Sequence, residues 1–153
     1  MHMFNEILVA IDGSESSIYA LEYAVKMATQ NKAKLRILSV VEDLPTIYTA
    51  GAGTVVRDKL QESIKEKYQK LHQEQIERVK EDHPKMEIIS DIREGKPSHQ
   101  IKNASATSDL IVIGHRGQGA VLSWVLGSVA REVTEQCTVP VLIVKDLDHC
   151  NIN

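Results

Sequence analysis

The sequence predicts an α/β fold: a doubly wound, five-stranded parallel sheet in the order 3-2-1-4-5, with helices on both faces. Three observations predict it. Five short apolar runs rich in β-branched residues alternate with segments of helical period. That alternation favours a parallel sheet covered by helices. The first and fourth runs are apolar at almost every position, as strands buried on both faces should be, and the third has the alternating pattern of an edge.

The first strand is expected over Ile7–Ile11. A helix follows, with Ile18, Leu21, Ala24, Val25 and Ala28 as its inward stripe and Ser14 as its N-cap. The second strand is Leu35–Val41. The stretch Pro45–Thr54 is the one sizeable connection, readable as a lid over a ligand or as a plain link. A long helix then turns Val56, Leu60, Ile64, Tyr68, Leu71 and Val79 inward and its charges outward. The third strand, Met86–Ile92, sets Met86, Ile88, Ser90 and Ile92 on one face. Pro97, a good first-turn residue, opens a short helix carrying Ile101 and Ala104. The fourth strand is Leu110–Ile113, and a last helix from near Ser128 carries Val129, Ala130, Val133 and Cys137. The fifth strand, Val139–Val144, takes the other edge. Strands one and four are then neighbours where the winding reverses, the crevice in which such sheets bind ligands.

Composition narrows the function classes. A length of 153 residues suits one domain, 1–153. A net charge of -3 leaves no cationic excess for a general nucleic-acid binder. The basic residues between Arg57 and Lys85 are interleaved with acidic ones, the pattern of a solvated helix face. The segment Met1–Glu6 lacks the features of a secretory leader, and no apolar run approaches the about 18–20 residues of a membrane span. Cys137 and Cys150 have no metal or redox spacing and read as reduced thiols, so a cytoplasmic location is expected.

The chemistry concentrates after the fourth strand, in Gly114-His115-Arg116-Gly117-Gln118-Gly119 and, with nine residues between it and Gly117, Gly127-Ser128. Glycines there let the backbone approach a ligand closely or take positive φ. Successive N–H groups of such a loop form an anion-binding concavity. A helix N-terminus at Ser128 adds donors and partial positive charge, so a phosphate site needs no lysine. Ser128 offers a hydroxyl to a phosphate or caps the helix. No Gly-x-x-x-x-Gly-Lys-Ser/Thr loop exists, which excludes a P-loop NTPase. Asp12-Gly13-Ser14 follows the first strand in place of a dinucleotide-binding glycine triplet. Asp12 suits ribose hydroxyls, or else stabilises the turn.

On these segments the chain resembles the universal stress proteins, in their ATP-binding branch. The resemblance runs from Ile7 to Val144 and is carried by ILVAIDGSESS, Gly95-Lys96-Pro97, DLIVIGHRG with Gly127-Ser128, and VPVLIVK. It implies an adenine nucleotide alpha hydrolase-like fold and ATP, with Mg²⁺, as ligand. It implies that Asp12 and the backbone of Ala10 and Ile11 contact adenosine, and that Val40 offers its backbone to the adenine edge. Gly114 would approach the ribose, Gly117 the phosphates, and Gly127, Ser128 and Val129 would hold the phosphates. Arg116 and Gly119 join this loop, Arg116 within reach of phosphate. His115 reads as a loop residue, since nothing near it in sequence would orient a catalytic base. The family also dimerises through its fifth strand. The residues give a reason: Val141-Leu142-Ile143-Val144 is an apolar edge that pairing with a second copy would cover.

The expected function is ATP binding in stress response or signalling, with little or slow hydrolysis, because no general base or activated nucleophile accompanies the loop. The alternatives are a Mg-dependent ATPase or nucleotide transferase, a binder of AMP or a cyclic nucleotide, and an interaction protein whose loop is only structural.

Overall fold

The computed structural model describes residues 2–44, 53–117 and 126–145. In chain order these form β1 (Glu6–Ala10), α1 (Glu15–Asn31), β2 (Lys34–Val41), α2 (Gly53–Asp82), β3 (Ile88–Glu94), α3 (Pro97–Ala104), a 3-10 turn (Ser105–Thr107), β4 (Leu110–Gly114), α4 (Ser128–Gln136) and β5 (Val141–Val144). The strands make one parallel sheet in the order β3-β2-β1-β4-β5, as the sequence predicts. Pro140 has no N–H to give to a ladder. Its carbonyl accepts from Ile111 N at 2.9 Å, and β5 proper starts one residue later.

Alternation along each strand feeds two cores. Ile7, Val9, Leu35, Ile37 and Val112 face one side, against Leu21, Ala24 and Ala28 of α1 and Val79 of α2. Leu8, Leu38, Ile111 and Ile113 face the other, against Ile101 and Ala104 of α3 and Ala130 and Val133 of α4. Ser14 caps α1 as expected, its side chain accepting from Ser17 N at 3.3 Å. In the stripe of α1, Ile18 is half-buried, while Ala20 and Leu21 are fully buried.

The inward stripe expected along α2 fails in its first two turns. Val56 is 52% exposed and Leu60 47%. The reason is length. Thirty residues of helix span about 45 Å, whereas the β2 and β3 strands beneath, of eight and seven residues, span about 26 Å. The helix overhangs the sheet, and among the described residues it is fastened along its second half by Leu71, Ile76 and Val79, together with a buried histidine, His72. The possible lid over Pro45–Thr54 lies outside the described residues from Pro45 to Ala52, as does the tail from Asp146.

Candidate functional site

β1 and β4 lie side by side, but their chains leave the sheet in opposite directions. A hollow of ≈ 410 Å³ opens beyond their carboxyl ends. Ten of the residues singled out from sequence line it: Ala10, Ile11, Asp12, Val40, Gly114, Arg116, Gly117, Gly127, Ser128 and Val129. Gly119, and Gln118 beside it, lie outside the described residues.

Asp12 divides its carboxylate. Oδ1 accepts from Ser14 N at 2.9 Å, closing the turn into α1. Oδ2 faces Gly117, so closely that a Cβ added there would stand 2.8 Å from it. Asp12 therefore stabilises the turn and also lines the hollow. The residue's own N–H donates to Ser17 Oγ at 3.3 Å.

The three described glycines of the motif do different things. None has positive φ; Gly13, Gly53 and Gly95 have it instead. At Gly114 a Cβ would lie 2.8 Å from the carbonyl carbon and oxygen of Ser16, so β4 and the start of α1 approach within glycine distance. That glycine is demanded by packing, and it also lines the hollow. Gly127 donates its N–H to His115 O at 2.9 Å, tying the two glycine segments together, and a Cβ on it would meet that same oxygen at 3.3 Å. Gly117 is exposed and faces Asp12.

Gly127 also holds the N-cap position of α4, with φ -59° and ψ 154°, and among the described residues no side chain caps this helix. Ser128 is the first helical residue and does not serve as the cap. The first intrahelical bond joins Arg131 N to Gly127 O, so the N–H groups of Ser128, Val129 and Ala130 precede it, at the wall of the hollow. His115 is buried in the loop; its N–H donates to Val144 O at 2.8 Å and its carbonyl accepts from Gly127.

At the other end of the hollow, β2 outruns β1. Ile11 N donates to Leu38 O at 2.9 Å, which closes the β1–β2 ladder. Backbone groups alternate in direction along a strand, so Val40, two residues on, turns its N–H and C=O to the same side, beyond the end of β1. Such an edge can meet the hydrogen-bonding edge of a base.

Sequence reasoning left out part of the lining. Tyr68 comes from α2, Glu42 from just beyond β2, and Pro97 and Ile101 from α3. The Tyr68 hydroxyl is held above its usual pKa, first by burial and then by the negative charges of Asp12 and Glu42. No pattern in sequence ties Tyr68 to Asp12; only the docking of α2 over β2 does. Among the described residues no group of three or more His, Cys, Asp or Glu side chains could hold a metal ion. Among them, too, no helix is long and apolar enough to cross a membrane.

Comparison with known proteins agrees with this architecture. The sequence pattern of the Universal stress protein family matches residues 3–145. Universal stress protein YxiE of Bacillus subtilis is 35% identical over 150 residues, covering 94% of this chain and all of its relative. Among solved structures, universal stress protein UspA from Lactobacillus plantarum superposes with a TM-score of 0.82 at 23% identity, covering 94% of this chain and 99% of the other. A family protein from Arabidopsis thaliana with AMP bound superposes with a TM-score of 0.67 at 19% identity, covering 94% of each chain. The chain belongs to the universal stress protein family.

Proposed function

We propose that this chain, acting as one cytoplasmic domain, binds ATP in the hollow beyond β1 and β4 and serves in stress response or signalling with little or slow hydrolysis. One observation carries the reading. A single hollow has a glycine-flanked helix N-terminus at one end, a strand edge at Val40 at the other, and the Asp12 carboxylate between. Those are the complements of phosphate, base and ribose, in that order. Ala10 and Ile11 would support the adenosine. Gly117, Gly127, Ser128 and Val129, with Arg116 and Gly119 in the same loop, would surround the phosphates. Mg²⁺ would ride on the phosphates and keep much of its water, since Asp12 alone is not a metal cage. The solved relative with AMP bound supports a shorter nucleotide as the second reading.

Calorimetric titration of nucleotide-stripped protein with Mg·ATP and with AMP tests this. Wild type is expected to bind, and a folded Gly117→Val/Gly127→Val variant is not. Absence of binding by wild type overturns the proposal. Turnover of Mg·ATP well above background would favour an ATPase or transferase. In that case Asp12→Ala would lower the rate beyond its effect on affinity.

The proposal includes a homodimer through β5. That strand is an edge whose Val141, Leu142 and Ile143 are only half-buried in one copy. An isologous pairing would cover both edges at once. Sedimentation should give a dimer at micromolar concentration and a monomer for Ile143→Lys; a wild-type monomer there contradicts it.

A further inference from the structure

We infer that His72 is a positioning residue for this hollow: through the Ser39 hydroxyl it fixes the Ile11 carbonyl, and with it the wall on which a nucleotide rests. The inference rests on the nucleotide reading of the hollow.

His72 lies on α2 and is 1% exposed. Its Nε2 is 2.8 Å from Ser39 Oγ and its Nδ1 is 2.7 Å from Ser90 Oγ. Ser39 Oγ in turn donates to Ile11 O at 2.6 Å. Donor accounting settles the protons. A serine hydroxyl has one hydrogen, and that of Ser39 goes to Ile11 O. Ser39 must then accept from His72 Nε2–H, which leaves neutral Nδ1 to accept from Ser90. The chain of bonds has one direction, from Ser90 on β3 through His72 and Ser39 to the residue preceding Asp12. It crosses three elements and ends at the lining of the hollow.

Anchoring α2 does not by itself call for this arrangement. Val79, Leu71 and Ile76 already dock the helix, and an apolar side chain at 72 would avoid the cost of burying an imidazole. What the histidine adds is a defined place for Ile11, whose N–H is held by Leu38 O and whose carbonyl is held by Ser39. It also fixes the register of α2. Tyr68 lies one turn earlier on the same helix face and lines the same hollow.

The test compares wild type, His72→Leu, His72→Gln, Ser39→Ala and Val79→Ala, each checked for folding by circular dichroism and thermal unfolding. Affinities for Mg·ATP and AMP are measured by calorimetry, and the His72 imidazole of unliganded protein is observed by nitrogen-15 NMR. The resonances should report a neutral ring protonated at Nε2. His72→Leu and Ser39→Ala should each bind about tenfold more weakly. His72→Gln, whose amide can still donate to Ser39, should stay within about threefold of wild type. Val79→Ala should lose stability and keep its affinity. Full affinity in folded His72→Leu, or affinity that merely tracks melting temperature across all variants including Val79→Ala, overturns the inference. Wild type that binds neither nucleotide defeats the nucleotide reading, and this inference with it. Binding by wild type with no effect of His72→Leu defeats this inference alone.

Discussion

The two ends of the sheet are built on opposite plans. At the end where β1 and β4 begin, polar groups close on one another. Arg36 bridges Glu6 at 2.8 Å and Asp91 at 3.2 Å, and Glu6 also accepts from Ser108 and Thr107. Asp109 Oδ2 accepts from the N–H groups of Asn5 and Glu6 at 2.7 and 3.0 Å. Burial pushes the Glu6 carboxyl up, but hydrogen bonds from Arg36 and Ser108 outweigh it and hold the group below its usual pKa. At the end where the same strands finish, backbone edges, a helix N-terminus and Asp12 surround a hollow. One end is closed by charge. The other is lined by glycines, backbone groups and the Asp12 carboxylate, and among the described residues it is where the hollow opens.

Substitutions can break that contrast, and the largest effect should come from a glycine of the hollow that packing itself demands. Gly114→Ala forces a Cβ to within 2.8 Å of the Ser16 backbone, which cannot move without shifting the start of α1. A loss of at least about 3 kcal/mol is expected in urea unfolding. A Gly114→Ala protein as stable as wild type would show that the two elements have room to part.

Acid should then separate the ends by pH window. Burial pushes the His72 pKa down from 6.5 to about 4, with the nearby charge of Asp91 opposing the shift. The folded pKa is the lower one, so between those values the unfolded chain binds a proton that the folded chain refuses. The contribution is complete above pH 6.5 and is lost as pH falls toward 4, by up to about 3 kcal/mol. Glu6 and Asp109 are also depressed, and their contribution disappears only at lower pH, as carboxylates begin to protonate. Urea midpoints at pH 7 and 4.5 should therefore fall less in His72→Gln than in wild type. Equal falls would assign the acid sensitivity elsewhere.

Arg36→Met gives the third and smaller effect, confined to the closed end. It leaves Glu6 and Asp91, with side chains 12% and 16% exposed, without their shared cation, at a cost of about 2 kcal/mol. Nucleotide affinity should not change, because no residue of this network lines the hollow. A loss of affinity at unchanged stability would mean that the ends communicate.

The contrast also explains how far the sequence could be read. Strand order followed from alternation and from the edge-like pattern of Ile88, Ser90 and Ile92, because burial on one face or two leaves a direct mark on residue choice. The site was readable where it is built from backbone: the glycines and Asp12 announce themselves by spacing after a strand. Its side-chain walls were not readable. His72 stands in Lys70-Leu71-His72-Gln73-Glu74, which looks like a solvated helix face, and its burial depends on how far α2 reaches over β2 and β3. The same length mismatch leaves Val56 and Leu60 exposed, although their spacing is that of a core stripe. Nor could spacing tell Gly114, which answers to Ser16, from Gly117, which answers to Asp12.

Gly117→Ala sharpens that last distinction, with the smallest effect on the fold and a specific one on the site. Its Cβ would stand 2.8 Å from Asp12 Oδ2, a side-chain atom rather than fixed backbone. The carboxylate can shift aside, and Gly117 itself is exposed with φ outside the glycine region, so the fold should lose less than about 1 kcal/mol. A carboxylate so displaced would no longer face the ribose of the proposed nucleotide, and Oδ1 would be drawn from Ser14 with it. Affinity should fall about tenfold. If the loss passes through Asp12, then combining Gly117→Ala with Asp12→Ala should cost little beyond Asp12→Ala alone, because neighbours that share one interaction do not add. Full additivity would instead mean that Gly117 meets the ligand by itself, through close backbone approach, and that Asp12 acts on a different part of it.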